Sequence, residues 1–264
     1  VADLPPTAVR RLFIFLCGFE VVPRGLSIQG GGNRVLLAEP ICAYLADTSQ
    51  GWVLLDTGLD RSRLTDPDLL EKYYTGRGWS VPPLVNLVHS LVDQMAAVGV
   101  SPQDVSRVVL SHTHADHTGH LRLFRHAPIY VQGPELDQAF AEPDALGWIA
   151  EDFNDPDLQW VRLSGDHEVV PGIQLISTPG HTAGHQSAVV TLPSGRRLVL
   201  TFDAGDLKEN FDRNVVPGSC FDEAQAAASL VRIQALVAQP NSEMILFHDP
   251  EALKDLRLSP QWYD

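Results

Sequence analysis

Residues 111–120 read Ser-His-Thr-His-Ala-Asp-His-Thr-Gly-His, four histidines and one aspartate in ten positions, directly after the apolar run Val108-Val109-Leu110. His112 and His114 stand two apart just past a strand-like run, and in extended backbone alternate side chains point the same way, so both imidazoles can grip one ion. Asp116 and His117 follow where the chain turns into a helix, which aims a second set of ligands into the same space. Imidazole mixed with carboxylate suits catalytic zinc and other borderline metals, whereas a structural zinc usually takes cysteines. Three more ligand-type side chains terminate apolar runs far along the chain. His181 lies in Thr178-Pro179-Gly180-His181-Thr182-Ala183-Gly184-His185, Asp203 follows the run at 197–202, and His248 follows Met244-Ile245-Leu246-Phe247. If those runs are strands, each ligand emerges at the edge where the first cluster lies.

The elements that must position them can be read from apolar spacing and turn signals. Strands are expected at 12–17, 41–46 and 52–56, with a hairpin through 47–51. A helix is expected over 84–99, stopped by Gly99, and then a strand at 107–110 leads into the histidine cluster. Beyond it come a strand at 129–131, a helix over 134–140 and, over 141–166, a polar stretch read as an irregular excursion or short helices over one face. Strands at 173–177, 187–191 and 197–201, a helix over 222–238 capped by Asp222, and a strand at 244–247 complete the chain. Two groups of strands, each followed by helices, predict two sheets packed face to face with helices outside. No linker divides them, so one domain over 1–264 is expected.

Composition narrows the partners. The 264 residues are 44% hydrophobic, enough for a sizeable core. Thirty-three acidic against nineteen basic residues give a net charge of −14, a field that repels polyanions, so no nucleic-acid partner is expected. Cys17, Cys42 and Cys220 are odd in number and form no CxxC pair, which argues against a disulfide framework or a zinc ribbon. The longest apolar run near the start, Leu12–Cys17, is far below the roughly 20 residues a membrane helix needs, so no membrane association and a cytoplasmic location are expected. The sequence begins at Val1 rather than Met, so a leading signal segment could have been removed.

The combination of HTHADH, TPGHTAGH, a strand-end Asp203 and a strand-end His248 resembles the metallo-β-lactamase superfamily. LLDTG at 54–58 and the stretches 165–187 and 201–212 extend the similarity, over nearly the whole chain, to the N-acyl homoserine lactone lactonases. The resemblance implies an α+β fold, a four-layer αββα sandwich of two mixed β-sheets flanked by helices. It also implies two divalent metal ions, zinc first, with iron, manganese or cobalt as alternatives. His112, His114 and His181 would hold one ion and Asp116, His117 and His248 the other, with Asp203 bridging. His185 and Asp56 would orient ligand histidines through hydrogen bonds, while His89, His120, His126 and His167 have no motif support and are expected in packing or surface roles. The implied reaction is attack of a metal-bridging hydroxide on a lactone carbonyl, with Asp116 orienting the nucleophile and carrying a proton. N-acyl homoserine lactones are the first-choice substrate, and another lactone, an ester or a phosphotriester the alternative, acted on by a monomer or homodimer.

One position departs from that family. The lactonases carry a tyrosine three residues after the bridging aspartate, and here Asp206 stands there. An ionised carboxylate repels a developing oxyanion, so Asp206 is expected either to act protonated in the site or to face solvent. The β-lactamase branch expects cysteine where Asp203 stands. Glyoxalase II expects a basic pocket, for which only Lys254 and Arg257 are candidates, and a di-iron redox relative would need a flavin-binding domain. Substrate-pocket walls are expected from 19–32 and 141–160.

Overall fold

The apolar runs at 12–17 and 41–46 form the centres of two long strands, β1 (Val9–Pro23) and β2 (Leu36–Thr48), in the computed structural model, which describes residues 7–143 and 145–264. Whether anything precedes Val1 lies outside the described residues. Beside this pair, β3 (Gly51–Leu55) runs antiparallel to β2 through the expected tight hairpin. From there the pairing turns parallel, through β4 (Val105–Val109), β5 (Pro128–Gln132) and β6 (Gln159–Leu163). The second sheet holds β7 (His167–Val170), β8 (Ile173–Ser177), β9 (Gln186–Thr191), β10 (Arg197–Leu200) and β11 (Ser242–Ile245), antiparallel except for β10 with β11. Both sheets are therefore mixed, as expected.

Period-two alternation sorts the apolar side chains of the second sheet. Ile173, Leu175, Ala188, Val190, Leu198 and Leu200 share one buried cluster with the first sheet. Their neighbours Ile176, Val189 and Val199 face the opposite way, onto Ala226, Leu230 and Ile233 of the helix Glu223–Val237. Leu91 and Met95, from the helix Leu91–Ala97, cover the first sheet. The arrangement is the four-layer sandwich expected, with a strand end delivering each ligand run to one edge.

Three expectations need correction. The helix expected over 84–99 is confined to Leu91–Ala97, because Leu84 exchanges backbone hydrogen bonds with Phe19 (2.8 and 3.0 Å), which holds that stretch extended, and Ser90 then caps the helix by accepting from Asp93 N. Leu87 and Val88, counted as part of its apolar stripe, are 68% and 75% exposed. The stretch 141–166 does hold a short helix, Ala150–Phe153, but it also contains strand β6, whose outer edge is unpaired and most of whose residues are only partly covered, so its apolar signal is weak. The last strand ends at Ile245 rather than Phe247, leaving Leu246 and Phe247 to carry the chain off the sheet to His248.

The loop bearing the histidine cluster is clamped from below. Gly119 N donates to Gly58 O at 2.8 Å, and a Cβ at Gly119 would lie 2.4 Å from Asp60 N and 2.6 Å from Gly58 O, so only glycine permits this approach. Arg63 pairs with Asp152 through two bonds of 2.5 and 2.8 Å, and their side chains are 7% and 3% exposed. Thr118 Oγ1, one position after His117, donates to the same Asp152 carboxylate at 3.2 Å. Removing one partner of a buried ion pair strands the other charge, at a cost of about 3 kcal/mol. Arg63→Met should lower the unfolding free energy by about that amount in urea denaturation, and Arg63→Met with Asp152→Leu should recover most of it. An unchanged midpoint in the single variant would contradict the clamp.

Candidate metal centre

Where β4 ends, His112 and His114 leave the sheet, and their ring nitrogens meet that of His181 from the loop between β8 and β9. His112 Nε2 and His181 Nε2 lie 2.9 and 3.0 Å from His114 Nδ1. Three imidazole nitrogens cannot all satisfy one another by hydrogen bonding, since each neutral ring has one donor and one acceptor. Asp203 Oδ2 completes the group, 3.6 Å from His112 Nε2 and 3.4 Å from His181 Nε2. Such a convergence of lone pairs is what a cation resolves.

The second group shares Asp203. His117 Nε2 lies 3.1 Å from Asp116 Oδ2 and 3.4 Å from Asp203 Oδ1, and His248 Nε2 lies 3.3 Å from Asp203 Oδ2 and 3.5 Å from Asp116 Oδ2. His112, His114, His181 and Asp203 on one side, and Asp116, His117, Asp203 and His248 on the other, each have ligand atoms within 4.8 Å of one another. His117 Nε2 and Asp203 Oδ1 are buried without any hydrogen-bond partner. These two orphaned atoms and the donor types fit a pair of divalent cations.

Charge within the site is strongly coupled. Burial opposes ionisation of Asp203, but the charges of His117, His248 and His112 outweigh it and hold the carboxyl well below its ordinary value. For Asp116 burial is likewise outweighed by His117 and His248, and its value is lowered. His117 and His248 are raised well above the ordinary imidazole value, against burial, by Asp116 and Asp203. In contrast, burial lowers His112 and His181 and brings His114 to about 3. The neighbouring carboxylates thus favour the protonated form of these two histidines, and a cation entering there competes with protons.

The second ring nitrogens of His117, His181 and His248 are fixed from behind. His117 Nδ1 lies 2.7 Å from Asp56 Oδ2, and Asp56 in turn accepts from Ser111 N and Ser111 Oγ at 2.8 and 2.7 Å. His181 Nδ1 donates to Ser219 O and His248 Nδ1 to Pro40 O, both at 3.1 Å. Donation at Nδ1 leaves Nε2 as the lone pair facing the centre. His185 serves a different atom from the one expected, accepting from the backbone N–H of Asp203 at 3.1 Å rather than orienting a histidine. Asp56 and Phe202 hold left-handed backbone (φ 58° and 46°) beside the ligands, a local strain that the surrounding contacts must impose.

One residue that sequence reading missed joins the two ligand loops. Glu135, fully buried on the helix Gly133–Ala141, accepts from Thr113 N and Oγ1 at 2.9 and 2.7 Å through one oxygen. Its other oxygen accepts from Thr182 Oγ1 and Gly184 N at 2.5 and 3.2 Å. Nothing in the sequence pattern singled it out, since one acidic residue on a helix face belongs to no motif. Other histidines fall outside the site, as expected: His120 Nδ1 donates to Thr57 O at 2.8 Å, His126 Nε2 to Val105 O at 3.0 Å, His89 accepts from Asn86 N, and His167 stacks on Tyr130.

A pocket of about 160 Å³ opens over the centre, and the two segments expected supply part of its wall, with Glu20, Leu26 and Ser27 on one side and Leu146 and Gly147 on another, while Glu39 and Trp79 come from outside both. Asp206 lines it as well. The solvent-facing alternative for Asp206 is overturned, since only 6% of the residue is exposed and its Oδ1 has no hydrogen-bond partner. Burial, then the charges of Asp203 and Glu39, push its carboxyl well above the ordinary value. Burial and the charge of Asp116 likewise lift Glu20 to about 8.

Comparison with known proteins agrees with this geometry. Residues 38–244 match the metallo-β-lactamase superfamily. The chain is 33% identical over 227 residues to the N-acyl homoserine lactonase AiiA of Bacillus thuringiensis subsp. kurstaki, covering 86% of this chain and 88% of that one. It is 32% identical over 241 residues to the N-acyl homoserine lactonase AttM of Agrobacterium fabrum, covering 88% and 90% respectively. Among solved structures, an N-acyl homoserine lactone hydrolase with the product N-hexanoyl-L-homoserine bound at its catalytic metal centre superposes with a TM-score of 0.86 at 30% identity, covering 97% of this chain and all of that one. A family match over most of the sequence, full-length relatives and one shared architecture lead to a single assignment: the chain is a hydrolase of the metallo-β-lactamase superfamily and belongs to the family of the N-acyl homoserine lactonases.

Proposed function

We propose that this protein opens the ring of a small lactone of the homoserine lactone type, using two divalent cations, zinc in the first instance. His112, His114 and His181 would hold one ion and Asp116, His117 and His248 the other, with Asp203 shared by the two groups. The observation that carries the reading is the pair of four-residue groups sharing Asp203 beneath one pocket. The names of the full-length relatives support it. Bound there, two divalent cations would supply an acidified water and polarise an ester carbonyl.

The chain's own residues account for the remaining chemistry. Asp116 borders the pocket and is held as a carboxylate, so it can take the proton released when water adds to the carbonyl carbon. When the ring C–O bond breaks, that proton passes to the departing alkoxide and the product is a hydroxy acid. Gly147 keeps the backbone close over His114, where a Cβ would approach the ring to 3.0 Å. Trp148 packs edge-on against the same imidazole at 4.6 Å and shields it from bulk water. A single hydrolase domain over 1–264 belongs to this reading, supported by the buried cluster common to both sheets. Free thiols at Cys17, Cys42 and Cys220 support cytoplasmic residence, and no helix among the described residues is long and apolar enough to cross a membrane.

Metal analysis combined with turnover of a lactone and of a phosphotriester tests the reading. Two ions per chain with lactone hydrolysis are expected, whereas two ions with no lactone turnover would overturn it. Asp203→Ala should reduce the metal content and lower kcat/KM by roughly a hundredfold or more, because Asp203 serves both groups. Retention of both ions in that variant would contradict the bridging role. Asp56→Asn should weaken metal affinity by about 10- to 100-fold in chelator competition, since His117 loses its carboxylate partner. Unaltered affinity would show that Asp56 acts only in folding.

A further inference from the structure

Two loops of the pocket wall are tied together by one guanidinium. Trp79 comes from one of them, and Leu146 and Gly147 from the other. Arg77, two residues before Trp79, donates from Nη1 to Trp148 O at 2.7 Å and from Nη2 to Ala145 O at 3.3 Å. The two accepting carbonyls flank Leu146-Gly147, so the planar fork grips that segment on both sides at once. On its own loop Arg77 is set close to Trp79 by a tight turn. Arg77 N and Trp79 N both donate to Tyr74 O, at 3.0 and 3.1 Å, and Gly78 between them takes left-handed backbone at φ 99°. The Trp79 indole packs edge-on against the buried Tyr74 ring, with centroids 5.4 Å apart.

The gripped segment is joined to the metal-site loop as well. Gly147 O accepts from Ala115 N at 2.8 Å, and Trp148 Nε1 donates to Thr113 Oγ1 at 2.8 Å, between His112 and His114. These bonds fix the segment to the histidine loop, and Arg77 fixes it to the Trp79 loop. Further out, Lys72 and Tyr73 meet Glu151 at 2.7 and 3.2 Å, but the side chains of Lys72 and Glu151 are 56% and 48% exposed, so this second tie contributes little. A free volume of about 160 Å³ takes one ring of about benzene size, so a substituent longer than the ring must leave through the pocket mouth. Val22, Leu26, Trp79 and Leu146 supply apolar surface along that way out, and Leu26 and Leu146 are 44% and 64% exposed. Each methylene group buried against such a surface tightens binding by up to roughly fourfold.

We propose that Arg77 is a positioning residue for substrate selection. By fixing Leu146 relative to Trp79 it sets the width of the pocket mouth, and through that the fit of the acyl substituent beyond the lactone ring. The proposal rests on the lactonase reading and names the part of this chain that grades acyl length. The metal-loaded enzyme and its Arg77→Met variant are compared on γ-butyrolactone, N-hexanoyl homoserine lactone and N-decanoyl homoserine lactone, with Lys72→Met as the control for the outer tie. In Arg77→Met the KM for the N-decanoyl lactone should rise by roughly fourfold to fifteenfold, the worth of about one to two methylene groups, and less for the N-hexanoyl lactone. Its kcat, and kcat/KM for γ-butyrolactone, should stay within about twofold, and Lys72→Met should match the parent throughout. An equal loss on all three lactones, or no loss on any, would overturn the proposal while leaving the lactonase reading intact. Hydrogen exchange tests the tie even if no lactone is opened, because the amides of Ala145 and Trp148 donate to Glu142 O and Ala145 O within the gripped loop. Their exchange should quicken by about tenfold or more in Arg77→Met, by less in Arg77→Lys, which keeps one bond, and not at all in Lys72→Met. Unaltered exchange in Arg77→Met would count against the tie.

Discussion

A carboxylate hidden from water holds this site together. Glu135 accepts four hydrogen bonds, two from Thr113 between His112 and His114, and two from Thr182 and Gly184 on the loop that carries His181. Those loops leave different sheets, so the interaction fixes the relation of the two sheets at the edge where chemistry is assigned. Gln186 adds a parallel tie, its backbone N–H donating to Ser111 O at 2.9 Å and its side chain to Leu110 O at 2.7 Å. Polar groups buried at this depth are tolerable only when every donor finds an acceptor, and the density of paired groups here makes the geometry stiff.

On that stiff frame the chain crowds together polar groups that hydrogen bonding alone does not satisfy. Five histidines and two aspartates converge, two residues beside them adopt left-handed backbone, and buried polar atoms of His117 and Asp203 stay unpaired. Each feature costs stability in the metal-free chain, and cations at the centre would satisfy the unpaired ligand atoms. The apolar sandwich bears that cost, since its two clusters enclose both faces of the second sheet. Stability is thus concentrated away from the edge, and function at the edge.

Much of this was legible in the residue order. Strand-end ligands announced themselves because a polar side chain directly after an apolar run has one direction to go, and period-two alternation then fixed the sheet faces. Edge strand β6 escaped notice because its outer side is unpaired and its apolar content dilute. The helix expected from Leu84 failed because a long-range backbone pairing with Phe19 overrode local periodicity. Glu135 and the opposed Glu20 and Glu39 were invisible for a different reason. A single acidic residue carries no periodic signal, and its meaning depends on register and on loops brought together from distant parts of the chain. Asp206 was visible as a departure from the family pattern, but only its burial shows that it faces the pocket.

The most direct measurement is anomalous diffraction from crystals of the purified, metal-loaded protein. Two peaks are expected on either side of the Asp203 carboxylate, one within bonding distance of His112, His114 and His181, the other within bonding distance of Asp116, His117 and His248. A single peak, or two peaks that do not share Asp203, would contradict that assignment.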